Sequence, residues 1–386
     1  MIPRPDCLDN LMKVVRSIGP TVIVVGEVEA NHNSPSFLNR FIETLFFYGT
    51  FFDCFEDCME RGSPCRTTIE GVYFGEGIRN IVAAEGEDRF TRNVKLEVWR
   101  AFFASFSMME EELSESAWYQ ANLILKQLAQ GSSCDLQKDG KGLIIGWKGT
   151  PIHSQSIWKF LSRNTEGDRV GDTSNGDNVY QKLTAMQIMK LAGERFIQFS
   201  SNKFININNL LHPYGSALLD LSPEDNQDVE LVQILLAAAE KVSDQQYDRA
   251  RKFLSQCQPL ASNTGNPVQR VVSYFAQALG ERIDRETGKL MPRISAQTDE
   301  LNNICIESRF HVSFVALHQE VPFTQVVHFT GIQAILECVA TKPKVHLIDF
   351  LIRTGVQWAS LIQAAAAERK DTPIEHMKIT SYRISR

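Results

Sequence analysis

Three groups of residues in this chain could do chemistry. Asp349 ends the run Val345-His346-Leu347-Ile348-Asp349-Phe350, and Gly355-Val356-Gln357-Trp358 opens an alanine-rich segment after it. An acid at the C-terminal end of a buried strand sits where open α/β sheets bind small ligands, provided that a glycine-rich turn lets the backbone approach. The turn here, Leu351-Ile352-Arg353-Thr354-Gly355, has one glycine among bulky neighbours and suits an adenosyl cofactor poorly. Asp349 is better suited to pairing with nearby helix amides and fixing the strand-to-helix corner, with His346 a satisfied polar residue on one sheet face.

Glu27 and Glu29 share a face if the strand before them extends, with Asn31 and His32 just beyond. Paired carboxylates could tune a proton donor or hold a metal with His32. More simply, Glu29 and Asn31 satisfy loop and helix-start amides while His32 faces solvent. The third group is Arg79, Arg89, Arg92 and Arg100, interleaved with Ile78, Phe90, Leu96 and Trp99. These could contact phosphate or RNA, but Glu85, Glu87, Asp88 and Glu97 dilute their field and favour ion pairs or a protein interface. Cys54, Cys58 and Cys65 could approach one another, yet no histidine follows at finger-like spacing. We therefore expect no catalytic, cofactor-binding or metal residues.

Composition points the same way. The 386 residues are 43% hydrophobic and 22% charged, with 40 basic against 46 acidic side chains and a net charge of −6. That balance gives no broad attraction to a polyanion, and no apolar run is long enough to span a membrane. Eight dispersed cysteines without a CxxC pair, and no secretory leader, suggest reduced thiols in a cytosolic or nuclear compartment.

The elements that must position these groups follow from periodicity. A helix over 7–17 precedes a short apolar strand over 21–25, whose length fits a buried parallel strand. Phe37, Phe41, Leu45, Tyr48 and Phe52 recur at helical spacing, with Ser34 as cap and Pro35 in the first turn. Further helices are expected over 68–85, 92–105 and 114–129, then a strand over 143–147 with 156–160 as its partner or an edge. Residues 161–182 are polar and glycine-rich enough to be a linker. Helices are expected at 184–199, 228–241, 247–256 and 268–281, and a strand returns only at 345–350. A helix over 360–369 and a short strand over 377–380 close the pattern. Alternating single strands and helices imply layered α/β packing. Trp147, Trp158 and Trp358 read as core aromatics first and binding anchors second.

Many separate motifs resemble the GRAS family of plant transcriptional regulators, closest to its DELLA-like branch. Val345–Phe350 resembles the family's signature strand, and residues 328–337 the helix before it. Leu235-Leu236-Ala237-Ala238-Ala239-Glu240 and Asn266-Pro267-Val268-Gln269-Arg270 resemble its first leucine-rich region. Glu27, Glu29, Ala30, Asn31 and Asn33 match a later motif, and Ile78–Ala83, Arg89, Arg92, Trp99, Trp147 and Trp158 its C-terminal region. The motif order is thus exchanged relative to the family, the second leucine-rich region that belongs after about Ser381 is expected to be missing, and no N-terminal Asp-Glu-Leu-Leu-Ala motif occurs.

The resemblance implies an α/β fold, a rearranged and incomplete methyltransferase-like Rossmann core with a helical cap. Residues 1–160 would correspond to the family's C-terminal region, 161–182 to a flexible linker, 183–340 to the helical cap and first leucine-rich region, and 341–386 to the start of the α/β core. It implies a nuclear, non-enzymatic co-regulator in plant hormone or developmental signalling, with no cofactor. Its partners would be DNA-bound transcription factors and other regulatory proteins, another GRAS protein among them. Leu235, Leu236 and Phe275 are the leading packing or interaction residues. The alternatives are a non-functional fragment and a methyltransferase-like enzyme with an apolar pocket beside Asp349. Without the N-terminal motif, gibberellin responsiveness through its receptor should be lost or indirect.

Overall fold

The computed structural model describes residues 5–161, 189, 222–289, 312–350, 355–368 and 374–381. The expected linker at 161–182 and helix at 184–199 fall outside these residues except at Leu161 and Met189. The chain forms two compact units, each built from discontinuous segments. Of the described residues, unit one takes 30–93, 189 and 222–289, and unit two the remainder.

Unit two is organised by sheets. Strand β1 (Ile23–Val28) and the eleven-residue β5 (Thr150–Phe160) run antiparallel, with Ile23 opposite Trp158 and Val28 opposite His153. This corrects the expected parallel strand, because a short apolar run does not encode the direction of its partner. It also corrects 156–160 as an edge: β5 is central, pairing with β1, with β4 (Gly142–Trp147) through its first half and with β2 (Met108–Glu111) through its last residues. Strand β3 (Cys134–Asp139) pairs with β4 and completes the five-stranded sheet. A two-residue turn joins β4 to β5, with Lys148 at φ 46° and Gly149 at φ 82°. Both residues are left-handed, the twist that a tight hairpin needs.

The period of two decides what each face of this sheet meets. Ile23, Val25 and Trp158 point to one side and pack with Met12, Phe103 and Met108, from the Pro5–Ile18 helix, the Leu96–Ser105 helix and β2. Val24, Gly26 and Gln155 point to the other, against Val327 and Gly331 of the Pro322–Cys338 helix. Phe323 of that helix meets the Trp147 ring edge-on at 6.0 Å. Ile332 and Leu336, on another side of the same helix, pack with Leu361 and Ala365 beside β6 (Lys344–Asp349) and β7 (His376–Ser381). A helix between two sheets has no water-facing stripe, and this one is apolar over most of its surface.

Strands β6 and β7 are parallel and joined through the Val356–Glu368 helix, with Val345 opposite Met377. This strand–helix–strand unit belongs to an α/β, methyltransferase-like Rossmann core, of which the described residues carry only two strands.

Unit one is helical. Its core is a chain of aromatic rings from the Phe37–Cys58 helix, including Tyr48, Phe51 and Phe55 against Phe74 at 4.9 to 5.3 Å, and Phe41 against Phe275 at 5.3 Å. Edge-to-face pairs add to the large apolar area that each ring removes from water. The helix cap is Ser36, whose hydroxyl accepts from the Asn39 amide at 3.4 Å, not the expected Ser34. The chain therefore enters the helix two residues later. The expected 68–85 helix begins at Pro64 and runs through a widened π segment, Ile69–Phe74, into Gly75–Ala83. The Pro223–Ser243, Tyr247–Cys257 and Pro267–Glu286 helices complete the unit.

Candidate functional site

Two carboxylates, one in each unit, anchor the residues singled out in the sequence. In unit two, Asp349 ends β6, and Gly355 at φ 74° admits the chain into the next helix. Asp349 Oδ2 accepts from the Trp358 indole N–H at 2.7 Å and from the Gln357 carboxamide at 3.3 Å. Two side chains of the first helical turn are thus among its partners. Trp358, like Leu347 and Met377, packs against the cluster of Ile332, Leu336, Leu361 and Ala365, so the hydrogen bond ties the strand end to the helix core. The carboxylate is occupied in fixing a corner. His346 is exposed and shares a 2.9 Å hydrogen bond with Thr380 Oγ1 on the neighbouring strand.

Glu29, also in unit two, accepts from the Leu96 amide at 3.0 Å and so supports the start of the 96–105 helix. Burial raises its carboxyl above the usual range, and hydrogen bonds from Leu96 and Ser154 oppose that rise. In unit one, Asn31 is exposed. His32 is not: it is fully buried, with Phe47 edge-on at 5.0 Å and Tyr48 stacked at 6.3 Å. This corrects the solvent-facing expectation, and the cause is the aromatic side of the following helix, which closes over the ring. Burial pushes the imidazole down to about 3, so it is neutral and unsuited to proton transfer near neutrality. Cys54 and Cys58 are thiols outside any disulfide, their sulfurs 3.7 Å apart, one helical turn from each other. Among the described residues, no three or more His, Cys, Asp or Glu side chains are grouped to hold a metal.

The arginines separate into different roles. Arg79 pairs with Glu76 at 2.6 Å and Glu281 at 3.0 Å. Arg100, in unit two, bridges Glu110 and Asp139 at 2.8 Å each. Arg89 and Arg92 instead join Arg40 and Arg282 around Glu85 in unit one. Arg282 Nη1 lies 2.9 Å from Glu85 Oε1, Arg40 Nη2 contacts the same oxygen, and Arg89 Nε is 3.7 Å from Oε2. Desolvation would raise the Glu85 carboxyl, but these donors hold it below the usual range. The sequence pattern named Arg89 and Arg92 but gave no sign that Arg40 and Arg282 would meet them. A second network, also in unit one, is more deeply buried: Arg270 reaches Glu56 and Glu70 at 3.1 Å each, and Arg66 reaches the same two acids at 2.6 and 2.9 Å.

Leu235, Leu236 and Phe275 are fully buried within unit one, so as placed they close its helical core. Asn266 sets the register of that core. It caps the 267–286 helix in a reciprocal box with Gln269 and donates to Asp228 on the 223–243 helix at 2.8 Å. In unit two, Trp147 and Trp158 are buried in the sheet, with the Trp158 indole donating to Ser156 Oγ at 2.9 Å, and Trp99 stacks on Phe103 at 5.5 Å.

Comparison with known proteins gives a consistent set of relatives. The GRAS domain family matches residues 3–159 and 231–385. DELLA protein 2 of Medicago truncatula is 36% identical over 162 residues, covering 42% of this chain and 30% of its own length. DELLA protein GAI of Arabidopsis thaliana is 36% identical over 164 residues, again 42% of this chain and 30% of its own. DELLA protein GAI1 of Vitis vinifera is 33% identical over 166 residues, 42% and 28% respectively. The chain thus spans less than a third of the length of these curated relatives. A solved structure, SCL7 of Oryza sativa, aligns with 28% identity and a TM-score of 0.38 over 40% of this chain and 43% of that one.

Proposed function

The chain belongs to the GRAS domain family, and from that premise we propose that it is a transcriptional co-regulator in plant hormone or developmental signalling. It works in the nucleus by protein association, without catalysis. The observation that carries this is the family match over two long segments, 3–159 and 231–385, with DELLA proteins among the relatives. Charge supports association through protein: at −6 overall, the chain has no broad attraction to a promoter, and a DNA-bound partner would supply the contact. The partners are DNA-bound transcription factors and other regulatory proteins, a second GRAS protein included. The order of family motifs is exchanged, the segment before residue 160 corresponding to the family's C-terminal region.

The test is a tethered reporter combined with a gel-shift assay on the full chain. Fused to a heterologous DNA-binding domain, the chain should change reporter output several-fold, and alone it should not retard random or promoter duplex at physiological salt. Sequence-specific retardation by the free chain, or an unchanged reporter, would overturn the proposal.

A further inference from the structure

The arginines around Glu85 carry more positive charge than their acids balance. Arg40, Arg89, Arg92 and Arg282 contribute four guanidiniums. Among the described residues, the carboxylates paired with them are Glu85 and, at 3.3 Å from Arg282, Glu286. The hydrogen bonds of Arg92 go to uncharged oxygens: the Arg89 carbonyl at 3.0 Å, Asn33 Oδ1 at 3.2 Å and the Gly86 carbonyl at 2.8 Å. Arg89 is buried, and its Nε, like that of Arg282, has no hydrogen-bond partner among the described residues. Burial and its arginine neighbours push the Arg89 guanidinium down to about 10.

Placement makes this excess usable. The Glu85 side chain is 42% exposed, so it can swing into water, whereas the Arg40 and Arg282 side chains around it are only 2% and 11% exposed. The guanidiniums are already oriented. Arg40 donates to the Ser34 carbonyl at 2.9 Å and the Ile81 carbonyl at 3.2 Å, and Arg282 lies 4.1 Å from the Phe37 ring centroid. Phe90, between Arg89 and Arg92 in sequence, is 56% exposed and offers an apolar contact next to the cluster.

We propose that this cluster is a phosphate-monoester site, in which the dianion of a phosphorylated serine or threonine on a partner peptide displaces the Glu85 carboxylate. A dianion fits because, once Glu85 swings out, four guanidiniums face only Glu286, so exchanging one negative charge for two lowers the net charge from +2 to +1, and three acceptor oxygens suit fixed guanidinium forks. A peptide fits better than a nucleic-acid strand because Glu87 and Asp88 stand beside the cluster in sequence and repel an extended polyanion, while Phe90 suits an apolar residue flanking the phosphate. The proposal is independent of the regulatory role above.

Fluorescence anisotropy on the full chain tests it, using a labelled short peptide pool with a fixed central phosphoserine, its unphosphorylated counterpart and a random duplex. The phosphorylated pool should bind, inorganic phosphate should compete, and the unphosphorylated pool should not bind. Glu85→Gln removes the competing charge and should tighten binding about tenfold, whereas Arg92→Gln should weaken it about tenfold. If Arg92→Gln fails to fold, Glu85→Gln decides alone, because a purely structural Glu85 predicts no gain. Equal binding of both pools, no binding of either, no gain in Glu85→Gln, or tighter binding of the duplex than of the phosphorylated pool would each overturn the proposal.

Discussion

Glu85 in unit one is met by guanidiniums from three separate stretches of chain, whereas Asp349 in unit two is met by an uncharged indole and a carboxamide from the helix that follows it. The same contrast holds more deeply at Arg270, which joins two acids supplied by distant segments. Charged groups taken out of water are costly unless every partner stays in place, so such a network makes unit one sensitive to single deletions. A local corner held by a neutral donor and apolar packing loses only what is removed.

Arg270→Met probes the contrast most severely. It leaves Glu70, 5% exposed at the side chain, with one cation fewer, and should lower the unfolding free energy by about 3–5 kcal/mol. Denaturant unfolding followed by circular dichroism measures this, and a loss below about 1 kcal/mol would break the comparison. Trp358→Ala comes next. The indole is half-buried, so its loss should cost about 2 kcal/mol, below the range for a fully buried Trp. An unchanged melting temperature would mean that the corner does not support unit two.

The third prediction concerns acid. His32 titrates near 3 when folded against an ordinary 6.5, so below 6.5 the unfolded chain binds a proton that the folded chain refuses. Stability is full above that value and falls as pH drops towards 3, by about 1.4 kcal/mol per pH unit within the window. His32→Gln should make the acid limb shallower by about one proton. Equal slopes for variant and parent between pH 6 and 5 would show that the ring is already charged or open to water.

Much of the helical framework was legible in the sequence. The 223–243 and 267–286 helices announce themselves by long apolar stripes. Strand β7 shows only Met377 and Ile379 in alternation, whereas β4 and β6 are apolar enough to stand out. Strands β2 and β3 are not: Met108–Glu111 and Cys134–Asp139 carry acids at or near their ends and lie where one face stays wet, so they show no clear period. The Lys148-Gly149 turn was a hairpin signal that would have predicted the antiparallel sheet. At the sites, the Asp349 corner was visible because its partners are eight and nine residues away. The surroundings of Glu85 and His32 were not, because Arg282 and the Phe47 and Tyr48 rings arrive through tertiary packing that polar neighbours such as Asn31 and Asn33 conceal.

The Pro322–Cys338 helix is a wall shared by two sheets, touching Val24 near the beginning of the chain and packing with Leu361 near its end. Such a wall imposes an order on biogenesis. During synthesis, the five-stranded sheet is translated long before the helix that covers one of its faces, so that face waits uncovered. The helix then emerges with apolar residues around most of its circumference and nothing to do but dock. Closing contacts across so long a loop is slow, and exposed apolar surface in the interval invites chaperones or aggregation. How quickly this one late helix finds a sheet made much earlier sets how long that apolar face stays open to other contacts.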